Sequence, residues 1–458
     1  MLSIQNILKD NFIPYKYSFR ALSKNKALCI VKKNRDKFVC LKSSEKLTGF
    51  DNVIKEYKED NIHIIIFRLS WNNYLLLKNN TNLTPKKINK KASFGTGDRI
   101  GMSTAPMLKS LSKYDIFPII AQHTPAEIQT LGKSYRLCLL DSVMGILESG
   151  YQGEWGADAD NIFSEDHVDQ AAEADYSMYT ADISSFINNT EYTEENFDFI
   201  KNNLNDISKE VINEYNSLPV ILKNQLNTDE ENIIFSACIY EKGLEKADNL
   251  YKRICKYKTD FDFEVTLDKQ NRITTPYDYI YTVLYLKNAG VKLTSISPKF
   301  YGNFNPGWDF EGDKNQFFNQ LKKLKEINDV LDTNKISLHS SDKFSIYRKF
   351  REILDNNYHI KTGGSSWHPI PFLCAVKNKE LFAKMYNIAS ERNAEPANMY
   401  NKEHPELYIK DKSICMLFHK NYNFILKELK EEIYDFLNTY EKDYYKLLEK
   451  HIDKHFIN

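Results

Sequence analysis

The sequence predicts an α/β fold: a (β/α)8 TIM barrel with a small N-terminal α+β domain, a helical insertion after strand 4 and C-terminal helices. Two observations carry this. From residue 91 onward, short apolar or β-branched runs alternate with helical patterns, and eight such runs suit closure of a parallel sheet into a barrel. The length, 458 residues, also suits a barrel with insertions better than a minimal domain.

The runs are Ala92–Thr96, Phe117–Gln122, Trp155–Asp160, Ser177–Asp182, Phe261–Asp268, Lys292–Ser297, Lys335–His339 and Tyr358–Thr362. Between them, Pro125–Gly150 reads as one helix, with Ile128, Leu131, Leu137, Leu140, Val143 and Leu147 at helical spacing. Thr275-Pro276 opens another, Thr275 as N-cap and Pro276 at the first helical position. Residues 1–90 lack this rhythm. Ala27–Val31 and Lys37–Leu41 read as a hairpin, and Ile62–Phe67 and Asn73–Leu77 as further strands. The expected organisation is therefore a domain or cap over 1–90, the barrel over 91–419 with a helical insertion at 184–259, and terminal helices over 420–458.

Charge and cysteine usage exclude several functions. Sixty-two basic residues balance 62 acidic ones, so no bulk positive field attracts nucleic acid or an anionic membrane. Seven cysteines, none spaced as CxxC, read as reduced thiols. No apolar run is long enough to span a bilayer, and the N-terminus lacks the apolar stretch of a signal peptide. A cytoplasmic protein is expected, with a small-molecule substrate and no nucleic-acid or membrane partner; a homo-oligomer is compatible with the sequence.

Barrel chemistry sits at the C-terminal strand ends. There the sequence places Asp98 and Arg99, then Gln122 and His123, then Asp158 and Asp160, then Asp182, Asp268 and Lys269, Lys299, His339 with Asp342 and Lys343, and finally Lys361 and Thr362. A packed interior does not hold unpaired charges cheaply, so these groups meet water, a metal, each other or a ligand. The bland alternative is a set of salt bridges along the rim, and for Asp158 and Arg99 it weighs as much as function. Asp160 and His339 together suit a shared divalent metal ion, with His123 and Asp268 as further ligands. Gly363-Gly364 after Lys361-Thr362 suits an anion cradle of backbone N–H groups, or an ordinary turn.

Several of these stretches, in one order, resemble the tagaturonate epimerase family. They are Ser93–Gly101, Trp155–Asp160, Ser297–Phe300, His339–Tyr347 and His359–Trp367. The resemblance implies a metal-dependent barrel enzyme that interconverts tagaturonate and fructuronate through a metal-assisted enolate or a retro-aldol step. Asp160, Asp182, Asp268 and Lys361 are then the expected catalytic groups, and Asp160 and His339 the metal ligands. Asp98, Arg99, Gln122, Lys299, Lys343, Thr362 and Gly363 are the expected substrate contacts. Four positions depart from the family pattern: Lys269 in place of an acid, Met107 in place of a histidine, Ser185-Phe186 in place of an Asp-His pair, and Asn401 in place of another histidine. Lys269 is expected to turn away, to pair with Asp268 or Asp160, or to take the place of the ion. The alternative reading is a degenerate barrel that binds a sugar acid or a protein partner without turnover.

Overall fold

The computed structural model describes residues 10–79, 81–188, 201–220, 223, 226, 228–331, 335–393 and 397–457. The chain forms two compact units, each made of separated segments. The first comprises residues up to 86, 96–157 and 363–454. The second comprises 87–95, 158–362 and the residues from 455 onward.

The first unit carries an antiparallel sheet of β1 (Ile13–Pro14), β2 (Arg20–Ser23), β3 (Lys26–Lys33), β4 (Asp36–Ser43), β5 (Val53–Glu59) and β6 (Ile62–Phe67). β3 and β4 are the expected hairpin, in register from Lys26–Ser43 to Lys33–Asp36. Their alternate residues Cys29, Val31, Phe38 and Cys40 pack with Ile64 and Ile66 into one apolar layer. Asn73–Leu77, read as a strand, is instead part of a helix, Trp71–Lys78. Ser70 caps it by accepting from the Asn73 N–H, and Tyr74 and Leu77, three apart, share the buried face. Pro125–Gly150 is likewise two helices, Pro125–Thr130 and Tyr135–Ser149. Gly132 takes a left-handed φ of 60° and breaks the run, and Ser134 caps the restart.

The barrel strands are β7 (Ala92–Gly95), β8 (Phe117–Ile119), β9 (Asp158–Ile162), β10 (Met178–Asp182), β11 (Asp262–Thr266), β12 (Ser295–Ser297), β13 (Lys335–His339) and β14 (Tyr358–Lys361). These eight parallel strands, with helices between them, make the fold a (β/α)8 barrel. Seven pair within the second unit in the order β7-β14-β13-β12-β11-β10-β9. β8 belongs to the first unit, where Ile119 bridges Gly156.

β9 begins at Asp158 and runs to Ile162, so Asp160 lies inside the strand and not at its end. Ala159 pairs with Tyr179 and Ile162 with Ala181, three residues of β9 spanning two of β10. Asn161, at φ 56°, absorbs the extra residue, a bulge that re-aims Asp160. Among the described residues the insertion after β10 is helical, over Asp206–Ser217 and Glu230–Cys255. Its segment 189–200 lies outside the described residues. The helix at Pro276–Asn288 opens as expected, with Thr275 and Asp278 forming a reciprocal capping box.

Long helices at Lys412–Thr439 and Glu441–Ile457 end the chain. The last described residues return to the second unit. There the buried ring of His455 packs on Phe94, Phe344 and Tyr347 at 4.9–5.2 Å. Arg351 holds this segment through the main-chain carbonyls of His455 and Phe456. Among the described residues no helix is long and apolar enough to cross a membrane.

Candidate functional site

The strands of the second unit alternate polar and apolar with period two. Asp158 and Asp160, Thr180 and Asp182, Glu264 and Thr266, Ser295 and Ser297, Ser337 and His339, and His359 and Lys361 fall on one face of the sheet. Ala159, Val265, Ile296, Leu338 and Ile360 fall on the other and are buried. The barrel interior of this unit is therefore polar, and its charges must satisfy one another.

Lys361 is the hub. Its buried ammonium lies 2.7 Å from Asp158, 2.8 Å from Glu264 and 3.1 Å from Asp160. It also donates to the Thr180 hydroxyl. Burial works against this charge, but the three carboxylates outweigh burial and hold the ammonium above its ordinary range. Burial pushes Asp158 up to about 7 against the pull of Lys361. Glu264 also accepts from Ser295 and lies 2.6 Å from His339 Nε2. Burial alone would raise Glu264, but Lys361 and then His339 bring it well below the usual carboxylate range.

His339 bridges two acids, its Nδ1 standing 3.3 Å from Asp268. Burial disfavours its charge, yet Glu264 and Asp268 outweigh burial and hold the imidazole at about 10. Asp268 accepts a 2.5 Å bond from Thr266. Asp182 accepts from the Ser184 N–H at 3.0 Å and from Lys269 Nζ at 2.6 Å. Lys269 thus pairs with Asp182, not with Asp268 or Asp160, and remains half-exposed. His359 donates or accepts through Nδ1 at 2.9 Å from Ser93, and burial drives it down to about 3, so it is neutral. Among the described residues its Nε2 and the buried hydroxyls of Ser297 and Ser337 have no hydrogen-bond partner.

These residues do not fit a divalent ion. The centre of the acids is filled by an ammonium, and both nitrogens of His339 are turned to carboxylates, whereas a ligating imidazole must aim a free lone pair at the ion. Among the described residues no three His, Cys, Asp or Glu side chains are placed to hold one metal ion. The expectation that Asp160 and His339 share a metal gives way to a lysine-centred network in which Glu264 links them. His123, the other expected ligand, lies in the first unit. Its Nε2 faces the Asp98 carbonyl at 3.2 Å, and burial brings it down to about 3.

Several expected substrate contacts have structural duties. Asp98 accepts from the N–H groups of Ile100, Gly101, Met102, Ser103 and Thr104, closing the start of the helix at Thr104–Leu111. Lys343 is buried and donates to the carbonyls of Asn305, Trp308 and Ser341 at 2.6–2.9 Å. Thr362 donates to the Gly95 carbonyl at 3.1 Å. Lys299 is only partly buried, and its main-chain N–H donates to Thr274. In the first unit Arg99 pairs with Glu127 at 2.7 Å, and Gln122 is buried. A Cβ at Gly363 would meet the Arg99 guanidinium, and one at Gly364 would meet His419 at 2.1 Å. Side-chain packing gives this glycine pair a structural reason of its own. Met107 is buried and its sulfur takes the Thr96 hydroxyl at 3.0 Å.

Glu264, Thr180, Ser295 and His359 were not singled out from the sequence, which was read only at strand ends. The signal for them was the polar–apolar alternation inside Asp262-Phe263-Glu264-Val265-Thr266 and His359-Ile360-Lys361.

A barrel whose strands carry linked carboxylates, a histidine and a buried ammonium holds the groups that acid–base chemistry on small polar molecules uses. The chain belongs to the tagaturonate epimerase family, whose model matches residues 15–458, and by that membership it is an isomerase of the epimerase class acting on hexuronates. It is 29% identical over 482 residues to the tagaturonate/fructuronate epimerase of Thermotoga maritima, covering 99% of this chain and 98% of that protein. Its fold matches the native crystal structure of fructuronate-tagaturonate epimerase UxaE from Cohnella laeviribosi with a TM-score of 0.82 and 22% identity, over 99% of this chain and 97% of that one. A glycerol complex of the same enzyme matches equally well.

Proposed function

We propose that the second unit epimerises a keto-sugar acid, tagaturonate and fructuronate being the pair that the similar proteins are named for. The observation that supports this most is the continuous chain Asp268–His339–Glu264–Lys361–Asp160, every link within 3.3 Å. Its Asp268 end is partly exposed. In this reading Asp268 takes the proton of the hydroxyl on the carbon to be inverted, which lies two carbons from the ketone; the bond from that carbon to the α-carbon breaks to give an aldehyde and an enolate, and the adjacent imidazolium of His339 offsets the charge on the enolate oxygen. The aldehyde turns its other face, the enolate carbon adds back to it, and the Asp182–Lys269 pair returns a proton to the new hydroxyl. Lys361 holds Glu264 ionised. Lys269 and Lys299 supply cations for the substrate carboxylate. No step passes through a metal.

The test is proton NMR of tagaturonate incubated with chelator-treated protein in deuterated water. The expected result is fructuronate that keeps its own hydrogen at the inverted carbon, at a rate indifferent to EDTA. Product carrying solvent deuterium at that carbon overturns the cleavage step. No product in either direction overturns the proposal.

The second reading, a barrel that binds without turnover, is favoured by the Lys269–Asp182 bridge, which occupies one of the two working carboxylates. It predicts saturable tagaturonate binding with no conversion, and gain of conversion in Lys269→Glu.

A further inference from the structure

Residues 298–313, between β12 and the helix Lys314–Leu331, form a loop at the C-terminal strand ends, where barrel sites lie. The loop belongs to the second unit throughout. Its tip is the turn Asn305-Pro306-Gly307-Trp308. Pro306 suits the second position of a type II turn and Gly307, at φ 73°, the third. The Trp308 N–H closes the turn on the Asn305 carbonyl at 3.3 Å. The buried ammonium of Lys343 then takes the carbonyls of Asn305, Trp308 and Ser341 together, at 2.6–2.9 Å. Ser341 stands two residues beyond His339, so the turn is tied to the strand end that carries the candidate network. Asp309 adds a second tie by accepting from the Ser345 N–H and hydroxyl. Phe300, Phe304 and Phe310 root the loop, packing on Phe317 at 5.1–5.9 Å.

Trp308 is the aromatic side chain that this packing leaves unused. It is partly exposed. Among the described residues its ring meets no aromatic side chain and no cation, and its indole N–H has no acceptor. The other three tryptophans are engaged: Trp71 by Tyr74 and Arg136, Trp155 through the Asn82 carbonyl, and Trp367 by Tyr422. A rigid ring with an apolar face and a polar edge, already held in place, docks a small polar ligand at little cost in entropy.

We propose that Trp308 is a substrate-binding residue for the sugar acid. Its ring face packs on the C–H face of the substrate, and its indole N–H donates to a substrate oxygen. Lys343 holds the turn that carries it. The proposal rests on the sugar-acid reading given above.

The test is calorimetric titration of the full chain with fructuronate, which reports affinity whether or not conversion follows, beside steady-state kinetics. Trp308→Ala is expected to bind at least about tenfold more weakly, with KM raised in step and kcat within about threefold. Trp308→Phe keeps a ring and is expected to stay within about threefold of the natural chain in affinity. Saturation with fructuronate is expected to change the tryptophan fluorescence of the natural chain, and Trp308→Phe to lose that change. An unchanged circular dichroism spectrum establishes that each variant is folded. Binding without conversion in the natural chain overturns the reaction proposed above and leaves the affinities to decide the role of Trp308. The proposal is overturned if Trp308→Ala binds as tightly as the natural chain, if Trp308→Phe binds as weakly as Trp308→Ala, or if fructuronate does not bind saturably at all.

Discussion

Replacing Lys361 by methionine keeps the length of the side chain and removes its charge. Three acids now 2.7, 2.8 and 3.1 Å from the ammonium would then face one another in a buried site, with only His339 to offset Glu264. Breaking a buried ion pair by removing one partner costs about 3–5 kcal/mol. The sign of the pH dependence follows from burial. Without Lys361 the carboxyls have folded-state pKa values above their unfolded values near about 4. Below that pH both states are protonated and the loss is small. As pH rises the unfolded chain ionises first, and the loss grows by about 1.4 kcal/mol per pH unit for each such group. Urea unfolding followed by circular dichroism should therefore show Lys361→Met losing about 3–5 kcal/mol near pH 8 and clearly less near pH 5. Lys361→Met/Glu264→Gln should recover at least about 1 kcal/mol near pH 8, since one of the competing charges is gone. A loss under about 1 kcal/mol near pH 8, or a larger loss near pH 5, refutes the lysine-centred network.

Three further outcomes are expected. Asp262, which burial pushes up to about 6, accepts from the Ile88 N–H and the Thr294 hydroxyl. Its raised value means stability falls as pH rises from about 4 to about 6, by up to about 3 kcal/mol, so Asp262→Asn should flatten the thermal midpoint across that window. Gly364→Ala places a methyl 2.1 Å from the His419 ring, and a loss of about 1–3 kcal/mol is expected in urea unfolding. Asp98→Asn turns an amide donor toward the N–H groups that the carboxylate now accepts, and about 2–4 kcal/mol should be lost in the same assay. Turnover per folded molecule is expected to survive that change, because the Asp98 carboxylate oxygens are spent on the start of that helix.

The barrel was legible because its signal is repetitive: apolar runs of strand length, separated by helical periodicity, and β13 was placed to the residue. The short N-terminal helix was not, since Asn73–Leu77 taken alone is an apolar pentapeptide whose helical state depends on the Ser70 cap just outside it. The candidate site was half legible. Charges at strand ends pointed to Asp160, Asp268, His339 and Lys361, all of which meet in one network. What linked them, Glu264, sits in mid-strand, where a charge is normally forbidden and was passed over. Partner choice was not legible either. Lys269 reaches Asp182 across 87 residues of sequence, and only the parallel register of β10 and β11 brings their ends together.

The segment around His455, seated on Phe94 near the start of the barrel, bears on how the molecule is made. Its partners Phe94, Phe344 and Tyr347 are translated earlier, and the first unit's segment 363–454 comes between. The two units are thus interleaved along the chain, and neither can be completed in a single vectorial pass. Such long-range closure slows folding and exposes unfinished strands in the meantime. A nascent chain stalled before residue 455 would hold a barrel with Phe94 uncovered, a species for a chaperone to recognise. For the same reason, neither unit corresponds to one continuous stretch of sequence.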